Sequence, residues 1–364
     1  MKAVIPCAKK KEGLFPFSET KPAALMPVRG EPLIRHLIQG LEEIGVDEIY
    51  LVTNHLEEKF KARFEEYTNI NIVHQEELKG TAEAVKTCDF IDEEFVVVNG
   101  DVLISGEDLE NLKQKHEEKK GRVSVLAAQE DKPEKFGVLS IRHDQVEGIE
   151  EKPEEAENNL VNSGIYILEP EIFDTIEGLE SDDLTDAVSE FAEEGEAYYE
   201  IISNYWIDIG DPRKLQEADR IRREEIEETE IDSKAEVSDE ADIEGEAVIE
   251  KGAEVKAGTV LEGKCFIGKN AVVGPNAVVK DSSIGMESQV RNAEINRSMV
   301  FESNIIDPFV AVEGSILGEE GDFKSGTVIR NSFIGGRSFV DMNNSIRGVK
   351  FVPDARTDLS EISK

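Results

Sequence analysis

Cysteine is scarce in this 364-residue chain. Cys7, Cys88 and Cys265 are the only three, and no two of them have metal-ligand spacing. An odd, scattered set excludes a disulfide framework and fits a reducing compartment. Basic charge is also short, with 41 Lys and Arg against 79 Asp and Glu, a net charge of −38. That balance argues against nucleic acid or an anionic membrane as the main partner. No apolar run approaches the ~18 residues a membrane span needs. The opening Met1-Lys-Ala-Val-Ile5 has no secretory apolar core, so a cytoplasmic location is expected. Aromatics reach only 6%, but hydrophobic residues at 39% suffice for real cores, and the length favours two domains. The acid is spread along the whole chain and reads as a solvating surface. A high-salt cytoplasm and an ordinary acidic cytosol both fit it.

Up to about residue 225 the pattern alternates strand and helix. Short strands are predicted at 2–5, 48–53, 70–74, 94–98 and 122–128. Helices are predicted at 32–44, 57–67, 81–88 and 107–119, the first from Leu33, Leu37, Leu41 and Ile44 at helical spacing. Such alternation predicts an α/β fold with a mostly parallel sheet covered on both faces. Ligands of these sheets bind beyond the carboxyl ends of the strands. Asp211-Pro212 then caps a charged helix running to about 230. The domains are therefore set at 1–225 and 226–364.

From residue 231 the period becomes six. Ile231, Val237, Ile243, Ile249, Val255, Leu261, Ile267, Val273 and Val279 are branched aliphatics six apart. Four residues after each stands a small residue, from Ala235 to Ser283. This is the pattern of a β-solenoid whose coils stack their aliphatic side chains. The register shifts near Ile284 and is expected to resume at Val328, Ile334, Val340, Ile346 and Val352.

Several segments, in order, carry a family resemblance. They are Lys21-Pro-Ala-Ala-Leu-Met-Pro-Val28, Gln75-Glu-Glu-Leu-Lys-Gly-Thr-Ala82, Val98-Asn-Gly-Asp101, Phe136-Gly-Val138, Glu151-Lys-Pro153, Asn162-Ser-Gly-Ile-Tyr166, Leu184-Thr-Asp186 and Tyr205-Trp-Ile-Asp208. Residues 1–225 resemble the sugar-1-phosphate nucleotidylyltransferases. The whole chain resembles the bifunctional type that joins such a domain, with a Rossmann-like sheet, to a left-handed parallel β-helix of hexapeptide repeats. The resemblance implies attack of a sugar-1-phosphate on a nucleoside triphosphate, UTP or dTTP, assisted by Mg²⁺. It implies Asp101 and Asp208 as metal carboxylates. Ala8, Gln75, Gly80 and Thr81 fall at nucleotide-binding positions, and Gly137, Glu151, Lys152 and Asn162 at sugar-phosphate positions. Trimers are the family habit, so a homo-oligomer is expected.

The chain departs from the family at its opening loop. Where the family has Ala-Gly-x-Gly-Thr-Arg, this chain has Ala8-Lys9-Lys10-Lys11-Glu12-Gly13, and Ala23 takes the place of a phosphate-binding lysine. Glycines at positive φ let backbone N–H groups cradle phosphate oxygens, whereas lysine there is strained. The cradle is therefore not expected to form, and turnover is expected to be weak. Lys9, Lys11 and Lys21 are the candidate substitute charges, a solvated loop being the bland reading. All five histidines precede residue 144, and Pro308 stands where the family's acetyltransferase base would be. With the last coils also looking shortened, no acetyltransferase activity is expected. The competing reading is a non-catalytic subunit that binds a nucleotide sugar and regulates or scaffolds an active paralogue.

Overall fold

Residues 1–357 are described by a computed structural model. The chain divides into two compact units. The first comprises residues 1–10, 22–25 and 33–208; the second comprises 11–21, 26–32 and the chain from 209 onward. Among the described residues no helix is long and apolar enough to cross a membrane.

The strands of the first unit are β1 (Lys2–Pro6), β2 (Glu48–Thr53), β3 (Ile70–His74), β4 (Phe95–Val98), β5 (Val102–Ile104), β6 (Val123–Gln129), β7 (Gly137–Arg142), β8 (Gln145–Glu151), β9 (Leu160–Leu168), β10 (Ala197–Ile201) and β11 (Trp206–Asp208). Its helices are α1 (Leu33–Glu43), α2 (Glu57–Phe64), α3 (Thr81–Lys86), α4 (Gly106–Lys119), α5 (Ile172–Gly178) and α6 (Leu184–Glu193). Nine strands form one sheet in the order β3-β2-β1-β4-β9-β6-β10-β8-β7. The β3-β2-β1-β4 half is parallel, and β9 runs antiparallel between β4 and β6. Alternate residues feed two cores. Ala3, Ile5, Val96 and Val98 pack with α1, whereas Val4, Phe95 and Val97 pack with α3 and α6. Burial on both faces is why these strands read as continuous apolar runs. β7, β8 and β9 fall where sequence periodicity is silent. The half-exposed hairpin of β7 and β8 carries an irregular register, and β9 is interrupted between Asn162 and Tyr166.

The second unit is a parallel β-helix. Its strands stack in three strips, two of them joined around a corner by the eight-residue strands Asp242–Ile249 and Val260–Ile267. Early coils are 18 residues long, with Val255 opposite Val273. Later coils are shorter, 16 from Val290 to Ile306 and 17 from Ile306 to Phe323. The recurrent loss sits at one corner, where inward residues are five apart rather than six: Val279 and Ile284, Val312 and Leu317, Ile329 and Ile334. Serine occupies that corner in Ser282, Ser298, Ser315 and Ser332, all but buried. Each hydroxyl donates to the carbonyl two residues earlier at 2.6–2.8 Å. Each also accepts the N–H of the next coil, that of Ser298, Ser315, Ser332 or Val349, at 3.0–3.3 Å. A hydroxyl that both donates and accepts thus replaces the missing residue.

The five-residue steps correct the expected register. The inward positions are Ile329 and Phe351 rather than Val328 and Val352; Val352 is 52% exposed. Likewise the corner serine is Ser282, one before the expected Ser283. Ile231 keeps the repeat but lies exposed, because no coil stacks beneath the first one.

Helix α7 (Pro212–Glu224) groups with the second unit. Asp211 caps it, accepting from the N–H groups of Arg213 and Lys214 at 2.7 and 3.1 Å. Its buried Asp219 accepts from the Ser283 hydroxyl, the Arg29 N–H and Arg223 Nε, all at 2.8–2.9 Å. Arg223 in turn donates to the Lys264 carbonyl. A buried ion pair needs its remaining donors and acceptors met, and these bonds meet them.

Candidate active site

The buried strand β4 ends in Asn99-Gly100-Asp101. A Cβ on Gly100 would lie 2.2 Å from Cys7 Sγ, so only glycine lets this turn pass the end of β1. Asp101 is 7% exposed. The Cys7 thiol is pushed well up, first by burial and then by the negative charge of Asp101. β11 pairs antiparallel with β5 and sets Asp208 across from Val102, one residue from Asp101. The two acidic residues named from sequence thus stand at one end of one ribbon, just past the carboxyl end of β4. Mg²⁺ commonly takes one or two carboxylates and completes its shell with water and phosphate oxygens, so these two acids are the candidate metal residues.

Along the same sheet edge, Ala8 is buried and its carbonyl accepts from the His55 N–H at 3.1 Å. Gln75, 3% exposed, follows β3; its N–H donates to the Thr53 carbonyl and its own carbonyl accepts from Asn54 Nδ2. Gly80 precedes α3. A Cβ there would lie 2.0 Å from the Asp182 carbonyl oxygen. Thr81 Oγ1 accepts from the Leu184 N–H at 3.1 Å, so this pair also anchors α3 to the start of α6.

Gly137, Glu151 and Asn162 converge. β7 and β8 place Glu151 opposite Gly137. A Cβ on Gly137 would meet Glu151 Oε2 at 3.0 Å and Asn162 Cβ at 3.7 Å. The Asn162 side chain is held at both ends, its amide donating to the Tyr166 hydroxyl and its oxygen accepting from the Gly164 N–H. Burial pushes the Tyr166 hydroxyl far above its usual range, so it stays a neutral partner. Lys152 stands at φ 47° with its ammonium 2.7 Å from Glu151 Oε1. That carboxylate raises the lysine pKa. Sequence reasoning did not nominate Tyr166, Phe136 or Trp206 as site residues. Phe136 and Trp206 meet edge to face at 5.6 Å beside Gly137, and Trp206 Nε1 is buried without a hydrogen-bond partner among the described residues. The only signal was their place inside the motif segments.

The opening loop takes a different course. None of Lys9, Lys10 and Lys11 adopts positive φ, so the glycine-type cradle is not formed and the lysines are not strained. Lys9 is exposed in the first unit; Lys11 and Lys21 belong to the second. There Phe17, 1% exposed, packs on Phe301 and Phe333 of the β-helix at 5.3 and 6.5 Å. Lys21 pairs with Glu302 and lies 5.8 Å from the Phe301 ring. At Gly13 a Cβ would lie 2.2 Å from the Gly210 carbonyl oxygen, so the backbone as it stands admits no arginine there.

A family model described as Nucleotidyl transferase matches residues 10–225, and one described as GMPPB C-terminal domain matches residues 243–356. The chain is 34% identical over 241 residues to the bifunctional protein GlmU of Methanocaldococcus jannaschii, covering 64% of this chain and 57% of that protein. It is 32% identical over 225 residues to mannose-1-phosphate guanylyltransferase 1 of Arabidopsis thaliana, covering 58% and 62%. The chain thus spans less than two thirds of the length of these relatives. Among solved structures, a Bacillus anthracis protein assigned as a glucose-1-phosphate thymidylyltransferase matches with a TM-score of 0.56 and 27% identity, over 61% of this chain and 94% of that one.

Proposed function

The chain belongs to the nucleotidyl transferase family, and from that premise we propose that it is a sugar-1-phosphate nucleotidylyltransferase. A phosphate oxygen of the sugar-1-phosphate bonds to the α-phosphorus of a nucleoside triphosphate. The bond from that phosphorus to the bridging oxygen breaks, and pyrophosphate leaves with the electron pair. The observation that carries this reading is the register that places Asp101 and Asp208 at the same end of the β5–β11 ribbon. These carboxylates would hold Mg²⁺, which supplies charge neutralisation at the phosphates. Gln75, with Ala8, Gly80 and Thr81, is the proposed nucleotide dock, and UTP or dTTP the proposed donor. Gly137, Glu151, Lys152 and Asn162 are the proposed sugar-phosphate dock. Lys9 is the proposed positive charge in place of a backbone cradle; Lys11 and Lys21, candidates for the same role from sequence, belong to the second unit. Lys21 is partly neutralised by Glu302, so slow turnover is part of the proposal.

A purely regulatory or scaffolding role beside an active paralogue is not favoured; the register that sets Asp208 beside the Asp101 turn and the closeness of Gly137, Glu151 and Asn162 support the enzymatic reading. The β-helix is proposed to serve assembly, as a trimer in the cytoplasm, without acetyl transfer, since no histidine follows His143.

Pyrophosphate release with Mg²⁺, a panel of UTP, dTTP and GTP, and several sugar-1-phosphates tests the proposal. Turnover is expected with a pyrimidine triphosphate. Asp101→Asn and Asp208→Asn should each lower kcat by about 100-fold or more. Turnover with none of the combinations, or turnover unchanged in both variants, overturns it.

A further inference from the structure

His116 lies at the other end of β4 from Asp101. It stands in the last turn of α4 and is 3% exposed. Its Nδ1 is 2.9 Å from the hydroxyl of Ser124 on β6. Its Nε2 faces two carboxylates, Glu94 Oε2 at 3.3 Å and Glu169 Oε1 at 3.8 Å. Glu94 immediately precedes β4 and Glu169 immediately follows β9; Phe95 pairs with Leu168, so the sheet register sets the two glutamates side by side. The three ligand atoms lie within 4.8 Å of one another.

Both separations are longer than an optimal charge-assisted N–H···O⁻ bond of about 2.7–2.9 Å, so hydrogen bonding holds the glutamates to His116 only loosely. The Glu94 separation is also that of a tetrahedron's edge around a metal, and Glu169 at 3.8 Å would close by roughly half an ångström to complete it. Ligands about 2.0–2.1 Å from Zn²⁺ are separated by about 3.3–3.4 Å. Glu94 and Glu169 are each about one-third exposed, which leaves water access to a fourth position. Ser124 fixes the imidazole from behind, the supporting contact that metal-bound histidines nearly always have.

We propose that Glu94, His116 and Glu169 form a binding site for a zinc-type divalent transition-metal ion, separate from the Asp101 and Asp208 pair. The ion ties the ends of β4 and β9 to α4. The electrostatics agree. The Glu94 carboxyl is held below its usual range, chiefly by hydrogen bonding to His116. Glu169 is raised by burial and then by the charge of Glu94, a crowding that a bound cation relieves.

The test is calorimetric titration of chelator-stripped full-length protein with Zn²⁺ in excess Mg²⁺, with Co²⁺ absorption as a second readout. The expected result is one tight equivalent per chain and the visible bands of low-symmetry Co²⁺. Glu94→Gln and Glu169→Gln, checked for folding by circular dichroism, should each weaken Zn²⁺ binding at least about tenfold. Asp101→Asn should leave it unchanged. Absence of a tight equivalent in the unaltered protein overturns the site and leaves a plain His–Glu ion cluster. So does unaltered binding in both glutamate variants, or loss of binding in Asp101→Asn alone. The pyrophosphate assay stands apart from this titration, so either proposal can fail alone.

Discussion

Glu57, the first residue of α2, accepts from the Thr53 hydroxyl and pairs with Lys61 and His74. The Lys61 hydrogen bond is the largest cause of its pKa falling from 4.5 to about 2, with burial opposing. A carboxyl with a depressed folded-state pKa binds its proton less readily folded than unfolded. Its stabilising contribution is therefore full above pH 4.5 and is lost as pH falls from 4.5 towards 2. Urea titrations across that window should show a steeper acid loss in the unaltered protein than in Glu57→Gln. Parallel profiles would show that Glu57 contributes nothing there. Single residues of the candidate site were legible to different depths. Asp101 stood out because an acid closes a buried apolar strand. Asp208 needed its neighbour, since only the β5–β11 pairing brings the two together. Lys21 carried no trace of Glu302, a partner 281 positions away.

At the scale of elements, periodicity located β1 to β4 and α1 to α4 within a few residues, because each buries one face or both against a core. It missed β7, β8 and β9, whose half-exposed or interrupted faces leave no clean alternation. The β-helix was legible where every strip is six residues long, and slipped by one wherever the serine corner shortens a coil. That corner has its own energetics. Ser315 donates to the Glu313 carbonyl and accepts from the Ser332 N–H, all within the buried stack. Ser315→Ala should leave a buried N–H unsatisfied and cost about 1–3 kcal/mol. Its denaturation midpoint should fall accordingly, whereas an unchanged midpoint would mean that the ladder adapts without the hydroxyl.

At the scale of the whole molecule, a net charge of −38 repels itself in the compact state. The Debye length falls from about 10 Å at 0.1 M salt to about 3 Å at 1 M. The thermal midpoint should therefore climb between about 0.1 M and 1 M KCl; a flat profile would mean that the surface ion pairs already balance the repulsion. The sequence by itself determined the two rhythms, the acidic surface and the family to which the chain belongs, because each is written in local spacing or in ordered short motifs. Only the tertiary structure decided where the segment 11–21 goes. Its lysines read as a phosphate loop in one dimension, but Phe17 buries itself between Phe301 and Phe333 and Lys21 meets Glu302. Burial and charge pairing depend on which surfaces meet, and residues 281 or more positions apart meet only once the chain has folded.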